Sequence, residues 1–173
     1  MSSPPRAQAP TFSPPEFRLA LSAFATGVTV VTARDAATGL RFGLTANSFN
    51  SVSLTPPLVL WSLSRHAGSM PTFAQGSHYA IHILAAEQRE LAERFATKDV
   101  DRFAGLQLSE GAGGAPILDG AMAVFECFNR SRYEEGDHVI FVGEVERCGV
   151  HENAAEIAPL VFQNGQFHGL KPL

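Results

Sequence analysis

The sequence predicts a mainly β fold in which antiparallel strands close into a barrel, with three or four short helices beside it. Leu40, Phe42 and Leu44 alternate with small or polar residues, which is the period-two pattern of a half-buried strand. Residues 121–133 and 138–150 form two long strand-like runs around a turn-rich segment, which favours a hairpin. Closure into a barrel is expected because it removes the exposed edges that so many antiparallel strands would otherwise leave.

The first element is a helix that follows a predicted mobile tail at residues 1–12, which are rich in Pro, Ser and Ala. Ser13 can cap this helix, Glu16 can complete a capping box, and Gly27 is expected to end it. One face of the helix carries Phe17, Leu21 and Phe24. Residues 13–173 are therefore expected to form a single domain.

The remaining elements follow from the same patterns of alternation, turns and caps. Strands are predicted at 28–33, 40–45, 58–64, 78–84, 160–163 and 166–170, and helices after Ser69 and at 86–97. Asn164-Gly165, between the last two strands, is typical of a tight hairpin turn. Because the strand at 58–64 follows the polar run closely, we expect Ser62 and Ser64 to lie beside Thr45 to Ser48 on neighbouring strands.

Composition excludes several classes of protein. The 173 residues are 45% hydrophobic and 17% charged, with a net charge of -4 and a pI near 5.8. No basic block could neutralise phosphates, so no nucleic-acid partner is expected. No apolar run of about 18 residues and no signal pattern occur, so no membrane span is expected. Cys127 and Cys148 lie far apart and form no paired motif, and we expect a cytoplasmic protein.

The polar run from Thr45 to Thr55 carries the most information about function. Its side chains are small hydroxyls and amides with almost no charge, and Pro56-Pro57 ends it because proline cannot donate to a sheet ladder. Such a run can bring backbone amides and short donors against a flat, polar, uncharged ring edge. On composition alone, it could equally be a polar loop between two strands.

Two motifs resemble signatures of the short-chain flavin reductase family. The first is Thr45-Ala46-Asn47-Ser48-Phe49 with Ser51-Val52-Ser53-Leu54 and Pro56-Pro57, and the second is Gly136-Asp137-His138 at the start of a strand. The similarity extends from about Phe17 to Leu170. Members of this family are reductase components of two-component flavin monooxygenases, and they are built on an FMN-binding split β-barrel.

The resemblance implies an NAD(P)H-dependent flavin reductase that reduces FMN or FAD and supplies the reduced flavin to a partner monooxygenase. It also implies a homodimer with flavin at the subunit interface. The hydride would pass directly between the two cofactors, so no catalytic acid–base residue and no metal site are expected. The resemblance does not decide between FMN and FAD or between NADH and NADPH, and it does not identify the partner monooxygenase.

The resemblance also implies a set of binding residues. The flavin is expected to contact Thr45, Ala46, Asn47, Ser48, Ser51, Ser53, Ser62, Leu63, Ser64, Gly68, Ser69, Arg94 and Phe95. Gly68 and Ser69 correspond to the part of the family that holds the phosphate end, and a helix start there suits an anion. His138 and Phe167 are expected at the nicotinamide, although the family often has Tyr where Phe167 stands.

Three other functions agree with parts of this pattern. A flavin-binding electron carrier or flavin store would share the first motif but would show no turnover with NADH. An enzyme of the pyridoxamine-phosphate oxidase type would need a basic phosphate cage, which the lightly charged segments before residue 87 disfavour. A β-barrel binding module would account for the fold alone.

Overall fold

The computed structural model describes residues 9–170, so most of the predicted tail, residues 1–8, lies outside the described residues. The helices and strands, in chain order, are α1 (Pro14–Ser22), β1 (Thr26–Gly27), β2 (Thr29–Arg34), β3 (Arg41–Ala46), β4 (Asn50–Leu54), β5 (Pro57–Ser64), α2 (Met70–Gln75), β6 (His78–Ile83), α3 (Arg89–Ala96), β7 (Leu108–Glu110), β8 (Pro116–Leu118), β9 (Ala123–Glu135), β10 (His138–Val150), β11 (Leu160–Gln163) and β12 (Gln166–Gly169). Short 3-10 helices span Ala86–Gln88 and Ala112–Gly114. The fold is mainly β, as predicted.

One seven-stranded sheet, in the order β3-β2-β6-β9-β10-β5-β4, carries the architecture. All of its neighbouring strands are antiparallel. The strands β1, β11 and β12 form a second sheet, and β7 pairs with β8. The edges of the large sheet are β3 and β4, and among the described residues no ladder joins them. The sheet is therefore open in its hydrogen bonding, and closure into a barrel stays a prediction.

The larger buried cluster lies on one face of this sheet and is built around aromatic rings, while a second cluster that includes Val30 and Phe95 lies on the other face. Trp61 stacks on Phe141 with ring centroids 4.8 Å apart and meets Phe73 and Tyr79 edge-on. All four side chains are almost completely buried. Along β5, core residues alternate with half-buried ones, so Ser62 and Ser64 point away from the aromatic core.

Three expectations about the elements are wrong. The polar run does not remain a loop, because its backbone pairs with β5 and forms the edge strand β4. The strands β3 and β5 are not paired, since β4 and β10 flank β5, although Ser48 does lie beside Ser62 as expected. The first helix keeps its predicted capping box at Ser13 and Glu16 but ends at Ser22, because the backbone of Gly27 pairs with β11 instead.

Two further observations concern the helices. The apolar face predicted for α1 exists, but no residue of α1 is buried in the chain. Residues 9–170 of the same chain therefore do not bury the apolar face of α1. Over that same range, no helix is long and apolar enough to cross a membrane.

His82 is a fully buried histidine in β6. Its Nδ1 lies 3.0 Å from the Val30 carbonyl oxygen, and its Nε2 accepts the backbone N–H of Leu118 at 3.0 Å. Because Leu118 N–H can only donate, the proton of the neutral ring lies on Nδ1. Burial lowers the pKa of His82 to about 4. A second proton would direct Nε2–H against the Leu118 N–H group.

We expect stability to fall as pH drops from about 6.5 to 4, because the unfolded chain then binds a proton that folded His82 does not. Between pH 7 and pH 5, this loss of unfolding free energy should be about 2 kcal/mol. Urea unfolding at both pH values measures it. His82→Gln should be less stable than the wild type at pH 7, but its unfolding free energy should fall less between pH 7 and pH 5. His168→Gln, an exposed control, should keep the wild-type dependence; an unchanged dependence in His82→Gln would contradict the assignment.

Candidate functional site

A cleft of about 830 Å³ lies between β3, the segment that follows β5 and the loop after α3. Its apolar lining consists chiefly of Phe42, Leu44, Leu63 and Phe95. Its polar and charged lining residues are Thr45, Ser64, His66, Ser69, Lys98, Asp99 and Arg102. The volume is in the range of about 300–1,000 Å³ that is usual for small-molecule sites, and so is the combination of apolar walls with a few polar groups.

The position of α3 against β3 creates one wall of the cleft. Gly43 is buried in β3, and a Cβ atom there would lie only 2.5 Å from Cε1 of Phe95. The missing side chain therefore lets the Phe95 ring pack directly on the strand. Thr45 Oγ1 donates to the Ala92 carbonyl at 2.6 Å and ties the same helix to the same strand.

Arg102 holds the loop after α3 in place. Its Nη1 donates to the Gly43 carbonyl at 2.6 Å, while Nε and Nη2 both donate to the Thr97 carbonyl, at 3.0 and 2.8 Å. Lys98 and Asp99 lie within this clamped loop and line the cleft. Three of the donors of Arg102 are thus committed to the backbone, whereas Lys98 has no ion pair within residues 9–170.

Of the residues in the first motif, Thr45 lines the cleft, whereas the others lie outside its lining. The Thr45 hydroxyl is engaged by Ala92. Ser48 Oγ accepts the N–H of Ser62 at 2.9 Å and donates to its carbonyl at 3.2 Å, which holds the turn between β3 and β4 against β5. Ala46 is buried, Asn47 lines a neighbouring pocket, and Ser51 and Ser53 lie on β4 outside the cleft lining.

The segment that follows β5 supplies the opposite wall. Leu63, Ser64, Gly68 and Ser69, which are expected to contact the flavin, all line the cleft. Ser69 is the N-cap residue of α2, but its hydroxyl makes no capping hydrogen bond. His66 lies in the same wall and was not singled out from the sequence.

Arg94 and Phe95, the two residues of α3 that are expected to contact the flavin, lie in different places. Phe95 lines the cleft, whereas Arg94 does not, because successive helical side chains point about 100° apart. The Arg94 guanidinium instead donates to the Ala104 carbonyl at 3.1 Å. Sequence reasoning therefore missed Lys98 and Arg102 as the cations beside the cleft. The sequence offered one indication of their role, which is that both lie in the polar segment directly after the helix.

His138 lies beside the cleft on the neighbouring strand. It is paired with Ser64 across the β5–β10 ladder, so the two side chains share a face of the sheet. His138 Nδ1 lies 2.8 Å from Asp137 Oδ1. This hydrogen bond and the charge of His138 hold the pKa of the Asp137 carboxyl below its usual range, and His66 adds a smaller effect in the same direction.

Phe167 lines a smaller pocket of about 200 Å³ together with Val28, Asn47 and Phe162. That pocket adjoins the cleft, because Thr45 and Ala96 line both. Within residues 9–170, His138 lines neither this pocket nor the cleft. In the same part of the chain, no group of three or more His, Cys, Asp or Glu side chains could hold a metal ion.

Comparison with known proteins identifies the family from the greater part of the chain. Residues 21–171 match the family model described as flavin reductase like domain. The chain belongs to the flavin reductase-like family. This membership confirms the resemblance carried by the Thr45–Phe49 and Gly136–His138 motifs.

Individual relatives of this flavin reductase-like chain cover nearly its full length. It is 44% identical over 151 residues to FMN reductase (NADH) SmoA of Agrobacterium fabrum, covering 87% of this chain and 83% of the relative. It is 35% identical over 164 residues to the flavin-dependent monooxygenase reductase subunit HsaB of Rhodococcus jostii, covering 95% and 82%. A solved structure of the Streptomyces globisporus NADH:FAD oxidoreductase SgcE6 with NAD and FAD fragments is similar at a TM-score of 0.84 and 36% identity, covering 95% and 98%.

Gly43→Ala should destabilise this flavin reductase-like domain by about 1–3 kcal/mol, because the added methyl group would overlap the buried Phe95 ring. Urea unfolding measures the change. Gly149→Ala in β10 is the matched control, since a Cβ there meets nothing within 4 Å. Wild-type stability in Gly43→Ala would show that α3 does not depend on this close approach.

Proposed function

We propose that the protein is an NAD(P)H:flavin oxidoreductase that transfers a hydride from NADH or NADPH to FMN or FAD. The reduced flavin then serves a partner flavin-dependent monooxygenase. The observation that carries this proposal is the cleft beside the first motif, with apolar walls, a polar and cationic lining and His138 at its edge. The activities named for the relatives SmoA, HsaB and SgcE6 support the same reaction.

The lining of the cleft fits a flavin. Leu44, Leu63 and Phe95 offer apolar surface to a flat ring system, and the Ser69 hydroxyl adds a donor. His66 and Lys98 lie on opposite walls and favour a phosphate group by charge and hydrogen bonding. When bound, the flavin supplies the chemistry by accepting a hydride. The side chains then need only to bind, orient and enclose the two partners of the transfer.

The nicotinamide is assigned to the His138 side of the cleft. His138 shares its sheet face with Ser64, so a ring placed against the flavin from that side can meet the imidazole. Phe167 is assigned to the same ligand from the other side, next to Asn47. Because no acid or base is required for direct hydride transfer, no catalytic side chain is proposed.

A homodimer forms part of this proposal. His138 lies on β10 of the large sheet and Phe167 on β12 of the second sheet, and we assign the two contacts of one nicotinamide to different copies of the chain. Phe17 and Leu21 of α1, and Phe24 just beyond its end, are also uncovered, at 49%, 57% and 76% exposure. Such apolar surface is typical of an interface. Light scattering should give twice the 18.5 kDa chain mass, and a monomer would contradict it.

The proposed split barrel would result if the open edges of the large sheet curl toward each other. Residues 47–49 alone connect β3 with β4, and Ser48 attaches that connection to β5 through Ser62. The two edges therefore lie close at one end of the sheet. The similarity to SgcE6 supports the same overall arrangement.

Anaerobic stopped-flow absorbance tests the proposed reaction. The purified protein is mixed with FMN or FAD and then with NADH or NADPH, while the oxidised flavin band is followed. Bleaching that saturates with the nicotinamide nucleotide is expected, and the four combinations identify the preferred pair. Flavin binding without bleaching would instead favour an electron carrier, and no flavin binding would overturn the assignment of the cleft.

Lys98→Ala should raise the Kd for FMN about tenfold, because it removes a charge-assisted contact to phosphate. Riboflavin, which lacks phosphate, should bind both proteins alike. Arg94→Ala is the matched control, since this cation lies on α3 but donates to Ala104 outside the cleft. Titration calorimetry or flavin fluorescence gives the Kd values. A loss with Arg94→Ala equal to that with Lys98→Ala would instead place Arg94 at the phosphate.

A further inference from the structure

We propose that Asp137 is a positioning residue that fixes the ring of His138, so that Nε2 is presented as an acceptor to the carboxamide N–H group of the nicotinamide. This inference rests on the proposed function, because it assumes that His138 meets the nicotinamide. It adds a second side chain to that subsite and determines which atom of His138 makes the contact.

The hydrogen-bonding chemistry determines the tautomer. His138 Nδ1 lies 2.8 Å from Asp137 Oδ1. The carboxylate can only accept, so in the neutral ring the hydrogen lies on Nδ1 and the lone pair on Nε2. An amide N–H donor of a ligand then finds an acceptor at Nε2. Without Asp137, the ring can rotate and can populate the tautomer in which Nε2 is a donor, which would oppose that amide.

The pair is held in place relative to the cleft. The carbonyl oxygen of Asp137 accepts the backbone N–H of Arg65 at 3.0 Å, at the point where β5 ends beside the cleft. The Arg65 guanidinium also lies 3.5 Å from the Glu134 carboxylate on the same hairpin. Backbone pairing of His138 with Ser64 completes the attachment. The hairpin that bears Asp137 is therefore connected to the strand that lines the cleft.

Exposure leaves the pair accessible to a ligand. The side chains of His138 and Asp137 are 47% and 84% exposed. In water such a pair contributes little to stability, so its removal should leave folding intact. Its effect should appear when a ligand excludes water from the imidazole. The proposed role therefore concerns binding and orientation of NADH rather than the fold.

A double-mutant cycle tests whether Asp137 acts through His138. Asp137→Ala and His138→Gln should each raise the KM for NADH about 3- to 10-fold, with a smaller change in kcat and an unchanged Kd for flavin. In the double variant, the effects should not multiply, because Asp137 no longer has a ring to hold. Glu135→Ala is the matched control, since this carboxylate lies opposite His138 in the ladder without a hydrogen bond to its ring.

Imidazole 15N NMR of the flavin-free protein gives a readout that does not depend on turnover. The His138 signals, identified by their loss in His138→Gln, should report the Nδ1–H tautomer in the wild type. In Asp137→Ala, they should move toward a tautomer mixture. Unfolding temperatures should be similar in all variants.

The possible failures are distinguishable. If His138→Gln leaves the KM for NADH unchanged, the proposed nicotinamide contact of His138 is wrong, and this inference is wrong with it. If His138→Gln raises the KM but Asp137→Ala does not, or if the two effects multiply, the positioning role is overturned while the proposed function stands. An equal effect of Glu135→Ala would replace positioning with a general effect of negative charge.

Discussion

The close packing of α3 on β3 is the contact on which the cleft depends. Gly43 leaves room for the Phe95 ring, Thr45 bonds to the Ala92 carbonyl, and Arg102 joins the Gly43 and Thr97 carbonyl oxygens. Together these contacts fix one wall of the cleft and the loop that carries Lys98. A cavity lined by side chains from a strand, a helix and a loop keeps its shape only if those elements cannot move apart.

Several polar side chains near the cleft serve the scaffold rather than a ligand. The hydroxyls of Thr45 and Ser48 satisfy backbone groups of Ala92 and Ser62, which are part-buried and costly to leave unpaired. Side-chain donors for a ligand must then come from other positions. His66, Ser69 and Lys98 are residues of the cleft lining whose side chains the described contacts leave available for this purpose.

The groups with the most strongly shifted pKa values lie in the core. Burial lowers the pKa of His82 to about 4 and raises the pKa of the Cys127 thiol to about 12. Neither residue lines the cleft, so these shifts report burial rather than tuning for catalysis. In the proposed hydride transfer the cofactors supply the chemistry, so the reaction does not depend on these buried groups.

The sequence by itself determined the local features of this protein. Alternation identified most strands of the large sheet, Ser13 and Glu16 identified the start of α1, and the two motifs identified the family. These signals depend on residues a few positions apart, so they can be detected without knowing the rest of the chain.

Only the tertiary structure decided which distant segments meet. Pairing with β5 converted part of the polar run into β4, and the rotation of α3 placed Phe95 in the cleft and Arg94 outside it. The tautomer of His82 depends on Val30 and Leu118, which lie 52 and 36 positions away in the sequence. Such contacts depend on the simultaneous packing of the whole chain, and no local pattern encodes them.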